Sequence, residues 1–195
     1  MPSSAALPDR PWRCFVAVPI GPDVRAAVQD CARRLRDRAG DADWRWSDPE
    51  AWHVTLAFMG ATEPSSVPGH GSALSEVAAD HEAFELRAGG LGAFPSRGRA
   101  RVLWYGVADP EGRLARLARA VRAAVGLPPE DRFRGHLTLA RARVRFGTDA
   151  RGLMDVPAPD ARLAVERLIL FRSHLGRGSA RYETLATATL PGAAP

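Results

Sequence analysis

The chain is a succession of short apolar runs, most of which alternate with the two-residue period of β-strands. Three stretches instead place apolar residues at the spacing of an amphipathic helix: 21–40, about 71–81 and 110–126. Strand–helix–strand units follow one another in a mixed order, which predicts an α+β fold with largely antiparallel sheets. The predicted strands are 13–20, 43–47, 52–59, 83–94, 100–108, 136–146, 163–175 and 180–190.

The ends of the chain differ from its middle. Residues 1–10 and 191–195 are rich in Pro, Ser and Ala, and we predict disordered tails around a single domain at 11–190. No run of about 18 apolar residues is present, and the first residues lack a basic segment followed by an apolar one. We therefore expect no contact with a membrane, no secretory signal and a cytoplasmic location.

The charged residues indicate an anionic partner without identifying it. The chain has 27 basic and 22 acidic residues, and every basic residue is arginine. Codon usage in a GC-rich genome is the favoured explanation of this bias, and a surface selected for phosphates, which the guanidinium group binds well, is the alternative. Two cysteines, Cys14 and Cys31, fit neither a zinc nor a redox motif and agree with a reducing compartment.

Two apolar runs carry the same pair of polar residues. They read "WHVTLAF" at 52–58 and "GHLTLAR" at 135–141. Because residues two apart share a face of a strand, His53 and Thr55 point the same way, as do His136 and Thr138. A predicted helix also precedes the motif strand in each half of the chain, which indicates an internal duplication.

One such motif has an ordinary structural explanation, since a half-buried histidine often hydrogen-bonds a backbone carbonyl. Its repetition favours a functional site. Displacement at phosphorus needs a base for the attacking oxygen and an acid for the leaving oxygen, and histidine serves both roles near neutral pH. Threonine hydroxyls can hold the phosphate oxygens. With no cluster of acidic ligands nearby, the pattern favours chemistry without a metal or another cofactor.

The paired motifs resemble the two-histidine phosphoesterase superfamily. The blocks "RWSDPEAWHVTLAFMG", "PPEDRFRGHLTLARAR" and "LILFRSHLGRGSARYETL" are similar, in the same order, to the RNA 2′,3′-cyclic phosphodiesterases, also called 2′-5′ RNA ligases. This resemblance implies a bilobal α+β fold of two pseudo-symmetric lobes, with mainly antiparallel sheets flanked by helices. The active site would lie in a groove between the lobes.

The resemblance also implies roles for individual residues. His53 would be the catalytic proton donor and His136 the acceptor, while Thr55 and Thr138 would bind the phosphate; the sequence itself leaves the order of the histidines open. Arg141 matches a family arginine and is a further candidate for contact with RNA or phosphate, but strict alternation from His136 places it on the opposite face unless a bulge redirects it.

The expected function is hydrolysis of terminal 2′,3′-cyclic phosphates on RNA or nucleotides to 2′-phosphates by a monomer without a cofactor. Two alternatives stay open at this point. One is ligation, in which a 5′-hydroxyl replaces water and forms a 2′-5′ linkage. The other is a nucleotide- or RNA-binding module without turnover, although binding alone does not require a matched acid and base.

Overall fold

The computed structural model describes residues 10–174 and 180–193, which form nine strands and three α-helices. The helices are α1 (Pro22–Ala39), α2 (Val67–Ala79) and α3 (Arg113–Ala124). The strands are β1 (Trp12–Pro19), β2 (Trp44–Trp46), β3 (His53–Thr62), β4 (Phe84–Phe94), β5 (Val102–Ala108), β6 (His136–Ala142), β7 (Ala161–Val165), β8 (Arg167–His174) and β9 (Arg181–Thr189).

All nine strands join one antiparallel sheet in the order β7-β4-β5-β6-β3-β1-β8-β9, with β2 added to β6. The sheet has two halves, because β3 and β6 are joined only where Val54 lies opposite Leu137. Three strands continue outward from each of β6 and β3, β2 pairs with β6 as well, and each inner strand carries one histidine motif at its start. This confirms the predicted bilobal α+β fold.

The two halves correspond element by element. In each half a strand leads through a helix to a motif strand: β1, α1 and β3 in one, and β5, α3 and β6 in the other. The helices cross over, since α1 packs against β7 of the other half and α3 packs against β3. The buried residues of both halves form a single core cluster, which ties the lobes together.

Several sequence-based boundaries were wrong. The predicted strand 163–175 is two strands, β7 and β8, which break at Glu166 and lie in different halves of the sheet. The second motif strand ends at Ala142 and does not reach residue 146. Helix α2 begins at Val67, four residues before the predicted start, because Pro68 fits the first turn of a helix.

The described residues do not cover every prediction. Residues 1–9 of the first predicted tail, residues 194–195 of the second and the Gly-rich segment 175–179 lie outside them. In the described part of the chain, no helix has both the length and the apolar character needed to cross a bilayer.

Candidate active site

The two histidine motifs lie side by side where the halves of the sheet meet. Val54 and Leu137 are fully buried and face each other across β3 and β6. His53 and Thr55 flank Val54, and their side chains therefore point away from the core. His136 and Thr138 flank Leu137 in the same way, so the structure places all four side chains on one face of the sheet.

The register of this pair determines how the four groups face each other. In an antiparallel pair centred on Val54 and Leu137, His53 lies across from Thr138 and Thr55 lies across from His136. The two histidines are then diagonal neighbours, a relation that separates residues by about 7–8 Å. A tetrahedral phosphate would fit between imidazoles at this spacing, with a threonine beside each.

Backbone carbonyls fix the tautomer of both imidazoles. Nδ1 of His53 lies 2.8 Å from the carbonyl oxygen of Ala51, and Nδ1 of His136 lies 2.8 Å from that of Arg134. Because a carbonyl only accepts, Nδ1 carries the proton in each ring and donates it. Nε2 is therefore the atom available for proton transfer, and Nε2 of His53 accepts a hydrogen bond from the Thr55 hydroxyl at 3.0 Å.

Aromatic rings form a wall around each imidazole. The Phe15 ring stacks on His53 with 4.7 Å between ring centroids, and the edge of Tyr182 meets His53 at 5.3 Å. Phe94 makes an edge contact with His136 at 5.1 Å. Trp104 lies 6.3 Å from the same imidazole. Phe15 is buried at 3 % exposure, so it acts as packing beneath His53 and is not an open stacking surface.

This burial changes the protonation of the pair. Desolvation lowers the pKa of His53 to about 4, and the neighbouring positive charges of His136 and Arg141 add to the effect. Desolvation is also the main cause that lowers the pKa of His136. Both imidazoles are consequently neutral at pH 7 without a bound anion, and a phosphate between them would favour protonation.

Arg141 faces the same site because of a bulge in β6. Leu103 lies opposite Ala140 and Trp104 opposite Thr138, so Leu139 is an extra residue in the pairing. Leu139 and Ala140 both point into the core at 0 % exposure, and the alternation resumes one residue later. The expectation from strict alternation was therefore wrong for Arg141, and its charge acts on both histidines.

An equivalent bulge in β3 brings in residues that the sequence did not identify. Leu56 is the extra residue there, and the bulge puts Phe58 in the position that corresponds to Arg141. Phe58 is 47 % exposed, and the guanidinium of Arg13 lies 4.5 Å from its ring centre. On the other side, Arg45 of β2 is directly opposite Arg141.

Like charges directly opposite each other across strands are destabilising, and an anion between them relieves the repulsion. Burial is the main cause that lowers the pKa of Arg141, and Arg45 and Arg13 act in the same direction. These arginines give this part of the site a positive potential. Among the described residues, no group of three or more His, Cys, Asp and Glu side chains is arranged to hold a metal ion.

The model of the family described as LigT like Phosphoesterase matches residues 18–104 and 106–182. The chain belongs to the LigT-like phosphoesterase family. The matched segments include both motifs and most of the surrounding sheet. The site described above therefore lies in the part of the chain that defines family membership.

Relatives and solved structures agree with this assignment. An RNA 2′,3′-cyclic phosphodiesterase of Geobacillus stearothermophilus is 32% identical over 187 residues, which are 92% of this chain, and the chain spans 57% of that relative's length. One from Archaeoglobus fulgidus is 34% identical over 134 residues, 67% of this chain and 73% of the relative. The structure of TT0787 from Thermus thermophilus superposes with a TM-score of 0.74 at 27% identity, covering 92% of this chain and 98% of that one.

Proposed function

We propose that this family member hydrolyses terminal 2′,3′-cyclic phosphates of RNA or nucleotides to 2′-phosphates, with His53 and His136 as acid and base and without a metal. The observation that carries the proposal is the matched pair of imidazoles. Each is held by a backbone carbonyl with Nδ1 protonated, and each lies beside a threonine on one face of the sheet. The names of the two relatives support the choice of substrate.

The proposed reaction is an in-line displacement at phosphorus. Neutral His136 takes a proton from water through Nε2 as the water oxygen attacks the phosphorus atom. The bond from phosphorus to O3′ breaks, and protonated His53 gives its Nε2 proton to O3′. The product carries a 2′-phosphate and a free 3′-hydroxyl, and solvent returns the histidines to their starting states. The order of the two histidines rests on the family resemblance.

Threonine and arginine would stabilise the phosphate during this step. The Thr55 and Thr138 hydroxyls can donate to the non-bridging oxygens, where negative charge increases in the transition state. The Thr55 hydroxyl now donates to Nε2 of His53, and turning to the phosphate would free that nitrogen. Arg141 supplies a positive charge at the floor of the site, and the aromatic walls lower the local dielectric and strengthen these interactions.

Two further expectations accompany the proposal. All groups of the proposed site come from one chain, which supports a monomeric enzyme. Cys14 and Cys31 are both buried and unpaired. This state is compatible with a reducing, cytoplasmic environment.

The test is the rate of 2′-phosphate release from cyclic-ended RNA by histidine variants. His53→Ala and His136→Ala should each lower kcat by roughly 10²–10⁴-fold, the usual range for a positioned acid or base. The double variant should lose much less than the product of the two factors, because both groups act in one step. His70→Ala is the matched control, since His70 lies on α2 away from both motifs, and should retain full activity.

Product analysis separates this proposal from the two alternatives. A 2′-phosphate product supports hydrolysis, whereas a 2′-5′ linkage formed with an added 5′-hydroxyl strand indicates ligation. Near-normal turnover in the double histidine variant would refute the assigned chemistry. Tight binding of the cyclic end with no product would indicate a binding module.

A further inference from the structure

We propose that an arginine-lined pocket next to His136 binds the single-stranded RNA backbone upstream of the cyclic end. The inference rests on the proposed function and deepens it, because it makes an oligonucleotide a better substrate than a cyclic mononucleotide. The pocket has a volume of about 420 Å³, which is within the usual range for ligand sites. Its lining residues are Pro95, Ser96, Arg99, Arg101, Arg145 and Phe146.

The pocket adjoins the candidate active site through one residue. Phe94 ends β4, and the edge of its ring contacts His136 at 5.1 Å. The next residue along the chain, Pro95, already lines the pocket. With a terminal nucleotide held at the histidines, the rest of an RNA chain continues from the 5′ side of that nucleotide. A phosphate-binding pocket that begins one residue after Phe94 is therefore placed to bind the RNA phosphates next to the terminal nucleotide.

The charge of the pocket favours a polyanion. Arg99, Arg101 and Arg145 line it without an acidic residue, and within 10–174 and 180–193 none of them forms an ion pair. Guanidinium groups without carboxylate partners are available to bind phosphate oxygens. Three adjacent positive charges also repel each other, and bound phosphates would remove that repulsion.

A second cavity of similar size provides an internal comparison. Its volume is about 440 Å³, and it also contains three arginines, Arg87, Arg113 and Arg162. Three carboxylates, from Glu85, Glu111 and Asp160, line the same cavity and cancel the charge. Two of the arginines are paired there, Arg87 with Asp160 and Arg162 with Glu85. The two cavities therefore differ in net charge and not in size or arginine content.

The loops that carry the arginines are fixed against each other. Ala100 and Thr148 exchange two backbone hydrogen bonds of 2.8 and 3.0 Å. Gly147 has φ +80°, and a Cβ there would lie 2.7 Å from the carbonyl oxygen of Arg99, so only glycine permits this contact. The amide of Arg101 donates to the Phe94 carbonyl at 2.7 Å. The pocket is thus formed before any ligand binds, which lowers the entropic cost of binding.

Phe146 adds the second feature of a single-strand site. Among the described residues it is the most exposed large apolar side chain, with 72 % of its surface exposed. The Arg145 guanidinium lies 6.0 Å from its ring centre. Sites for single-stranded nucleic acid combine a positive groove with aromatic rings on which bases stack, and they show little base preference. We therefore expect the pocket to recognise an RNA strand without reading its sequence.

Binding of a fluorescent hexanucleotide that ends in a 2′-phosphate tests the pocket without requiring turnover. Replacing Arg99, Arg101 and Arg145 together by Gln should weaken binding by about tenfold or more at 50 mM salt. If three phosphates are bound, the wild-type affinity should fall about 20-fold between 50 and 200 mM salt, and the variant should lose most of this dependence. The matched control replaces Arg87, Arg113 and Arg162 by Gln and should bind like wild type.

Phe146→Ala separates stacking from charge. This variant should bind about tenfold more weakly, while its salt dependence stays that of wild type. Equal loss in the pocket variant and in the matched control, or unchanged binding in both, would overturn the proposed pocket.

Turnover distinguishes the pocket from the proposed function. The pocket variant should keep kcat/KM for a cyclic mononucleotide and lose it for a cyclic-ended hexanucleotide. Equal losses on both substrates would contradict a role in binding the strand. If wild type turns over neither substrate, the proposed function fails, and the binding experiment still decides whether the pocket holds RNA.

Discussion

The chemistry of the two histidines depends on atoms only a few ångströms from their rings. A carbonyl two residues earlier fixes each tautomer, and burial lowers the pKa of both imidazoles. In the free protein His53, the proposed acid, therefore binds its proton weakly. A bound phosphodiester changes this balance, because its negative charge favours the imidazolium form. Substrate binding would thus help to create the protonation state that the reaction needs.

This coupling gives a prediction about pH dependence. Plots of both kcat/KM and kcat should be bell-shaped, since one histidine must be neutral and the other protonated. The kcat/KM profile reports the free enzyme, in which burial lowers both pKa values, that of His53 to about 4. Its optimum should lie below pH 6.5 and about one unit or more below that of kcat, because the substrate anion raises the values in the complex. Coincident optima would contradict the assigned coupling.

Arg141 offers a second test at a single side chain. Arg141→Gln should lower kcat/KM for the cyclic phosphate by roughly 10–100-fold, because a charge-assisted contact to the phosphate is lost. Arg141→Lys should recover part of the loss, since it restores the charge but not the planar fork. Arg143→Gln is the control, as its guanidinium already donates to the Asp41 carbonyl, and should stay near wild type. Unchanged kinetics in Arg141→Gln would remove this residue from the site.

At the scale of single strands, departures from regular β geometry shape the site. The bulges at Leu56 and Leu139 occupy equivalent places in β3 and β6. After each bulge the side chains point to the opposite face from the one that strict alternation predicts. One places Phe58 on the site face and the other places Arg141 there. The alternation of buried residues also slips at Glu166, where β7 ends and β8 begins. The sequence shows this shift, because Leu163 and Val165 are followed by Leu168 and Leu170 and not by apolar residues at 167 and 169 alone. This shift could have located the break.

A glycine in β4 tests how this packing supports His136. A Cβ on Gly92 would lie 2.0–2.5 Å from three ring carbons of Trp104, which is nearly buried beside His136. Gly92→Ala should lower the free energy of unfolding by about 1–3 kcal/mol through overpacking. Displacement of the indole should also lower kcat by about tenfold through the position of His136. Denaturant titration and steady-state kinetics measure the two effects.

Gly69→Ala is the control for that substitution. A Cβ at Gly69 meets nothing within 4 Å, and the residue lies in helix α2. Alanine should keep full activity there and should stabilise the helix by up to about 1 kcal/mol. If Gly92→Ala keeps wild-type kinetics despite lower stability, Trp104 does not position His136.

The whole molecule brings two similar halves together so that neither contains a complete site. Each half supplies one histidine and one threonine, and the halves meet at a single residue pair between β3 and β6. Helices α1 and α3 cross to the opposite halves and share one core with both. The groove is therefore held by packing on the other face of the sheet, and the separation of the histidines depends on that core.

The donor groups across the molecule lead to a prediction about metals. Over 10–174 and 180–193, His, Cys, Asp and Glu side chains form no group of three that could hold an ion. Dialysis against EDTA should leave kcat unchanged, and added Mg²⁺, Mn²⁺ or Zn²⁺ should not raise it. An activity lost with EDTA and restored by one of these ions would contradict metal-free catalysis.

The sequence by itself determined the local features. A period of two on strands placed His53 with Thr55 and His136 with Thr138, and helical spacing located α1 and α3. These follow from backbone geometry within a few residues. Only the tertiary structure decided that β3 and β6 are neighbours, that Arg141 turns into the site, and that Phe94 and Tyr182 enclose the imidazoles. Pairing and bulges depend on a partner strand far away in the chain, and the pKa of a buried histidine depends on what covers it. No local pattern specifies either one.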